Sequence, residues 1–490
     1  MQYTTPEQVG LSSADVLNFY KDLERFHFST HSVVMMRGDK IFSEAYYAPF
    51  TADFKHRMYS TSKSFVSIAV GFCEQDGLLS LDDPMTKFFP EYKNENWDAK
   101  LLETTVRDML MMETSMEKNV TWFSSGTSDR TEVYFRKKSD KHSGCINSYD
   151  SSGSYMLGVI VERVTGKPFL DYLKEKVLCE IGFSPDAYCI LAPGGHSFGD
   201  SGVMCTSRDL LLFARFVLNG GTYNGKRYLN KDYIKAATTM SVCTDDYGFA
   251  TNSSHGYGYQ FWGAPEGCFA THGMGTQVSL CDPKHDFVFV ITADNQGLIG
   301  HYDLLYEALY RNIIHRFSDA PLSEDGASEK ALRSFEANAK LFSLSADSIP
   351  PFFREISGKT FFCDPAPMGW KWFRFDLEDG TGTLTYENKQ GEKSFRFGIG
   401  HNEFGKFPET GYADTVATVP VPGHRYDGAF SADFPEPQKL RIRVQIIDKY
   451  FGNLGMVFGF KDADRATVRM KKTAEYFLME YDGLMNAHAK

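Results

Sequence analysis

Tyr59-Ser60-Thr61-Ser62-Lys63 opens an apolar run that reaches Gln75, and its reading decides the fold. Phe65, Ile68, Ala69 and Phe72 recur at three- and four-residue spacing, which predicts a helix over 60–75 that stops at Asp76-Gly77. If Ser60 begins that helix, the Ser-x-x-Lys pair puts a hydroxyl and an amine about one turn apart on the same side. The first-turn amides would then face an oxyanion developing beside the hydroxyl. A lysine so placed acts as a base only where desolvation or a neighbouring cation eases the loss of its proton. By itself the spacing says little. Ser115 and Lys118 repeat it ahead of polar chain, and an N-cap serine with a surface lysine looks the same.

Two further segments supply what the first lacks. Tyr149-Asp150-Ser151 precedes a helical stripe of Met156, Val159, Ile160 and Val164, and a loop entering a helix can aim a phenol at a fixed point. Thr271-His272-Gly273-Met274-Gly275-Thr276-Gln277 has glycines that let a substrate approach the backbone, followed by a strand-like run. An edge strand there can donate an amide to an oxyanion and hydrogen-bond an extended substrate. Taken singly, the tyrosine reads as packing and the glycine segment as a bulge or turn with a solvated histidine. In chain order the three give a nucleophile, proton-transfer partners and an oxyanion site, the equipment of a serine hydrolase.

Around these motifs, 32–36 reads as a strand turning at Arg37-Gly38-Asp39-Lys40 into a second strand that reaches Tyr47. Val106 to Met112 is a short helix, and Lys118 to Ser143 is a long polar stretch expected to border a cleft. Helices are expected over 152–165 and 206–218, ending at Gly166-Lys167-Pro168 and Asn219-Gly220-Gly221. Strands are expected over 257–262, 277–281 and 287–293. The fold class is therefore α+β: an antiparallel sheet completed by both ends of the region and flanked by helices, with a helical subdomain. Composition shifts to Ser, Ala, Glu, Asp and Lys between His315 and Pro351. Beyond it, aromatic and β-branched runs are broken by turns such as Glu378-Asp379-Gly380 and Lys389-Gln390-Gly391-Glu392. The expected domains are 1–317 for the hydrolase, 318–351 for a linker carrying one helix, and 352–490 for an all-β barrel or sandwich.

Composition narrows the partners. A net charge of -11 over 490 residues, with no long Lys/Arg run, argues against nucleic acid and against an anionic membrane surface, and for a small molecule. The nine cysteines are scattered without a Cys-x-x-Cys pair and read as reduced packing residues. His27 and His31 have the four-residue spacing that can hold zinc on a helix, but no third ligand is evident and no metal is expected. Gly199-Asp200-Ser201-Gly202 spells the nucleophile signature of trypsin-like proteases within helix-rich surroundings that do not suit it. The N-terminus shows no signal-peptide pattern and no apolar stretch approaches the roughly 18 residues of a membrane span, so a soluble cytoplasmic protein is expected.

The order of motifs resembles the serine β-lactamase and penicillin-binding protein superfamily, in particular its class C-like esterase and amide-hydrolase branch. The resemblance covers roughly residues 5–315 and extends to Thr105-Val106-Arg107-Asp108-Met109-Leu110, Leu157 to Gly166, Ser201 to Leu210, and Tyr257 to Trp262. It implies that Ser60 is the acylated nucleophile, Lys63 its proton acceptor and Tyr149 the second proton-transfer group. The amides of Ser60 and of Met274 or Gly275 would form the oxyanion hole, with His272 and Ser151 beside the substrate. Where penicillin-recognising enzymes usually have Lys-Thr-Gly, this chain has His272-Gly273-Met274, and Tyr149-Asp150-Ser151 stands where many have Tyr-x-Asn. A fixed cation for a substrate carboxylate is thus replaced by a group mostly neutral at pH 7, which favours uncharged esters and amides over β-lactams and cell-wall peptides.

The resemblance implies a two-step acyl transfer without metal or organic cofactor on a small ester or amide substrate. Two other readings stand beside it: a D-amino-acid-specific peptidase or amidase, or β-lactam-interacting protein, and a catalytically idle binding protein of the same fold. The natural substrate, the base among Lys63 and Tyr149, the role of the β module and the oligomeric state, a homo-oligomer included, stay open at this level.

Overall fold

The structure, a computed structural model, describes residues 2–117, 128–244, 255–412, 421–475 and 477–489. It divides into two compact units. The first runs through Asn295 and from Ile299 to Lys340; the second takes Gln296–Leu298 and the described residues from Leu341 on.

In the first unit, β2 (Thr30–Arg37) and β3 (Lys40–Tyr46) form the hairpin expected around Gly38, whose φ of 61° suits a residue without a Cβ. β12 (Phe287–Ala293) pairs antiparallel with β2 on its other side, Val290 opposite Val34. With β1 (Gln2–Tyr3), β9 (Trp262–Gly263), β10 (Phe269–Gly273) and β11 (Gln277–Asp282) they make a seven-stranded sheet, ordered β1-β3-β2-β12-β11-β10-β9. Early and late strands thus meet in mid-sheet, antiparallel throughout except where β1 joins β3. β11 and β12 are buried along their whole length, β12 as its near-continuous apolar run requires.

Helices cover both faces. α1 (Ser13–Arg25) is capped by Ser12, whose side chain accepts from the Asp15 amide, and it sets Phe19 edge-on against Phe289. On the opposite face, Val288 and Val290 join the core built by α2 (Ser62–Gln75), α3 (Val106–Leu110), α4 (Ser151–Thr165) and α5 (Ser207–Leu218). α3 and α5 each start with a reciprocal capping box, Thr105 with Asp108 and Thr206 with Asp209. α6 (His301–Asn312) and α7 (Gly326–Asn338) pack on α1. A small sheet, β4 (His56–Arg57), β6 (Val203–Cys205) and β5 (Tyr188–Cys189), and the hairpin β7 (Thr222–Tyr223) with β8 (Lys226–Arg227) complete the unit.

Three expectations change here. The helix expected from Ser60 begins at Ser62, because Tyr59–Thr61 forms a 3₁₀ turn ahead of it. The strand expected over 257–262 shrinks to Trp262–Gly263. Gln260, at φ 62°, turns the chain there, its side chain engaged with α3 and α4 and its carbonyl with α2. Of the segment expected as a linker, 318–351, the helix α7 packs on α1 and β3 as part of the first unit. Of the polar stretch expected from Lys118 to Ser143, residues 118–127 lie outside the described residues, and its later part includes a short helix, Arg130–Phe135.

The second unit is a ten-stranded antiparallel sheet running from β13 (Thr360–Cys363) through β14 (Trp372–Glu378), β15 (Thr381–Asn388), β16 (Gly391–Ile399), β17 (Glu403–Lys406), β18 (Asp427–Glu436), β19 (Lys439–Ile447), β20 (Phe451–Asp462) and β21 (Arg465–Thr473) to β22 (Gly483–Ala489). β22 pairs with β13, and β16 pairs in parallel with β18 at Gly398–Ser431 and Ile399–Ala432, so the sheet closes. Of the two architectures expected, barrel and sandwich, the unit is a barrel. Its interior is a separate aromatic-rich core. The nine cysteines are free thiols. No helix among the described residues is long and apolar enough to cross a membrane.

Candidate active site

Tyr59 leaves β4 at φ 47°, a left-handed conformation that a non-glycine residue keeps only where its surroundings hold it. The buried Arg57 does so: its guanidinium lies 4.3 Å from the centre of the Tyr59 ring and donates to the Ser201 carbonyl at 3.0 Å and to Ser201 Oγ at 2.9 Å. Ser201, fully buried, is thus a partner of Arg57 in the loop that carries Asp200. The turn leaves Ser60 partly exposed, while Lys63 in the first turn of α2 is 1 % exposed. Lys63 Nζ donates to Ser60 Oγ at 2.9 Å and to the Asp200 carbonyl at 2.8 Å. It also lies 5.1 Å from the centre of the Tyr149 ring.

Tyr149 reaches this point because Asp150 anchors the loop at the head of α4. Asp150 accepts from the amides of Ser152 and Gly153 at 2.9 and 3.1 Å and from Thr114 Oγ1 at 2.9 Å. Burial nevertheless pushes its carboxyl up to about 6. Ser151, the next residue, opens α4 and is buried. The Tyr149 ring stacks on Trp262 (5.5 Å), Trp262 on His272 (5.6 Å) and His272 on Tyr302 (4.7 Å), a row of four rings that starts beside Lys63. Burial, with His301 adding to it, lowers His272 to about 3, so the ring is neutral at pH 7.

The glycine segment divides in two. Thr271-His272-Gly273 ends β10, and Met274-Gly275-Thr276 is the turn into β11, with Gly275 and Thr276 at φ 80° and 79°. Among the described residues β9 pairs with Phe269 and Ala270 alone, so the Thr271–Gly273 edge has no further strand beside it. It abuts the serine turn instead: a Cβ on Gly273 would stand 2.2 Å from the Met58 carbonyl, and Thr61 Oγ1 donates to the Gln277 carbonyl at 3.0 Å. The turn's carbonyls are engaged, Met274 by Gln277 Nε2 at 3.1 Å and Gly275 by the Asn295 amide at 3.0 Å.

With this geometry in hand, the sequence model of the Beta-lactamase family matches residues 21–309, more than half of the chain. The chain belongs to that family. A curated relative, the 6-aminohexanoate-dimer hydrolase of Paenarthrobacter ureafaciens, is 27 % identical over 285 residues, 53 % of this chain and 71 % of the relative. Among solved structures, the putative 6-aminohexanoate-dimer hydrolase from Bacillus anthracis aligns with a TM-score of 0.50 at 18 % identity, over 64 % of this chain and 86 % of its own. EstCE1, a hydrolase with promiscuous acyltransferase activity, aligns with a TM-score of 0.50 at 14 % identity, over 61 % and 100 %. At such identities these two structures speak for the fold, which is that of β-lactamase-like hydrolases.

Within this Beta-lactamase family chain, Ser60, Lys63 and Tyr149 converge, and Gly273 lies against the turn that carries Ser60. His27 and His31 do not share a helix: His27 follows α1 at φ 58°, and His31 is buried in β2, stacked 3.9 Å from Phe50. Sequence reasoning missed five contributors. The Asp200 carbonyl gave no signal, since a backbone acceptor leaves none. Gln260 and Trp262 were hidden in a segment read as a strand. Tyr302 and Tyr306, one turn apart at the head of a helix, were the signal that could have been caught.

Proposed function

We propose that this Beta-lactamase family protein is a serine hydrolase that opens an ester or amide bond through an acyl-enzyme on Ser60. The 2.9 Å bond between Lys63 Nζ and Ser60 Oγ carries the reading, because a candidate base must first be within reach of the proton it takes. Ser60 Oγ attacks the carbonyl carbon as its proton passes to the Lys63 amine. Tyr149, beside that amine, gives its proton to the departing alcohol or amine and takes up the one held by Lys63. Water then attacks the acyl carbonyl, gives a proton to Lys63, and Ser60 Oγ recovers that proton as the acid is released. The amides of Ser60 and of Met274 or Gly275 are the proposed oxyanion donors, with a contribution on the order of 3 kcal/mol. Ser151, at the head of α4, is a proposed substrate neighbour.

The neutral His272 in place of a lysine supports uncharged esters and amides over β-lactams and D-alanyl peptides. The relative, a 6-aminohexanoate-dimer hydrolase, makes linear amides with their ends blocked the first substrates to try beside simple acyl esters. Rapid mixing with p-nitrophenyl butyrate tests the acyl-enzyme. A burst of about one nitrophenolate per chain ahead of slower turnover, absent from Ser60→Ala, is expected. Hydrolysis undiminished in Ser60→Ala would overturn the reading.

A further inference from the structure

We propose that Tyr306 fixes His272 as the Nδ1–H tautomer, so that the family's usual lysine position offers a neutral hydrogen-bond donor that selects substrates with an uncharged oxygen acceptor beyond the bond that is cut. The proposal rests on the hydrolase reading above and names the substrate chemistry of that same site.

The His272 ring is stacked against Trp262 at 5.6 Å and against Tyr302 at 4.7 Å, both nearly parallel to it. Its two nitrogens lie on its edge. One part of that edge is taken, since Nε2 lies 2.7 Å from Tyr306 Oη. Tyr306 is 1 % exposed, and among the described residues His272 Nε2 is the partner recorded for its hydroxyl. Were that hydroxyl to accept from an Nε2–H, its own proton would be buried without an acceptor, the costly arrangement for a polar group. Tyr306 therefore donates to a bare Nε2, and the ring proton sits on Nδ1. His272 as a residue is partly exposed, which leaves Nδ1–H as the polar group it can present.

Neutrality follows from the setting. The ring is desolvated, and repulsion from His301 further disfavours a charge. Tyr302 spends its hydroxyl on the Gly273 carbonyl at 2.8 Å, and none of the four rings supplies the charge of the missing lysine. A carboxylate brought here would lose hydration without gaining a counter-charge, whereas an ester or amide oxygen gains a donor suited to it. His272 stands two rings along the row from Tyr149, which places this acceptor several bonds from the carbonyl attacked by Ser60. The intervening faces are aromatic, so the linking segment is apolar.

Two measurements on the full chain test this. Ring ¹⁵N spectra of histidine-labelled protein at pH 7, with the His272 signals identified by their loss in His272→Gln, should show a protonated Nδ1 and a bare Nε2. In Tyr306→Phe both tautomers should appear. A proton on Nε2, or on both nitrogens, in the unmodified protein overturns the proposal. Binding is then compared in Ser60→Ala for methyl 6-(butylamino)-6-oxohexanoate and its free acid. The ester should bind at least about tenfold tighter, and the ratio should fall towards one in Tyr306→Phe. Equal or tighter binding of the acid overturns it. Both readouts are taken without turnover, so a failure of the Ser60 chemistry shows separately, as absence of hydrolysis by the unmodified protein.

Discussion

Lys63 Nζ is held in a confined space, 2.9 Å from Ser60 Oγ and 2.8 Å from the Asp200 carbonyl, with the centre of the Tyr149 ring at 5.1 Å. Replacing it with methionine keeps the volume and removes the proton acceptor, so Lys63→Met should lower kcat by about 10²–10⁴-fold with the far-UV circular dichroism unchanged. A loss under tenfold would assign the proton transfer elsewhere. Tyr149→Phe separates two roles, because it keeps the stack on Trp262 and the contact with Lys63 and removes only the hydroxyl. The expected result is a fall in kcat of about 10²-fold or more with KM within about threefold. At this scale the sequence was readable where chemistry depends on side-chain type and order: Ser60, Lys63 and Tyr149 do meet. It was mute where a backbone carbonyl, as at Asp200, or a packing neighbour, as at Trp262, completes the geometry.

Elements set these side chains in place, and the helix head at Asp150 carries a pH signature. Its carboxyl titrates near about 6 in the folded chain and near about 3.9 when unfolded. Between those values the folded state binds the extra proton, so this group makes stability decline as pH rises through the window and leaves it lower above. Asp150→Asn still caps α4 and should remove that slope in urea unfolding followed from pH 4 to 7. The close approach of β10 to the serine turn makes a second test. Gly273→Ala would put a Cβ 2.2 Å from the Met58 carbonyl, so it should cost about 1–3 kcal/mol of stability and lower kcat/KM through displacement of the Met274 turn. Periodicity and turn residues made α2, α4, α5 and the β2–β3 hairpin legible. It failed at 257–262, because Gln260 turns the chain for the sake of four tertiary hydrogen bonds that no local pattern encodes.

Across the whole molecule, acid should act through buried imidazoles. His56 and His272 are both lowered to about 3 by burial, against about 6.5 in an unfolded chain. The unfolded state binds the extra protons between those values, so this stability is present above about pH 6.5 and lost as pH falls towards 3, opposite in sign to Asp150. The melting temperature should therefore drop from pH 7 to pH 4, and the drop should shrink in His56→Phe. The architecture was legible as two folded parts because the change from helical periodicity to short aromatic strands is visible in composition. Closure of the barrel was not, since the β16–β18 pairing joins residues whose register no turn dictates. The central claim is an activated Ser60, and intact-mass analysis after incubation with a small fluorophosphonate tests it most directly. One adduct per chain, absent from Ser60→Ala, is the predicted result; no adduct, or one that persists in Ser60→Ala, would contradict it.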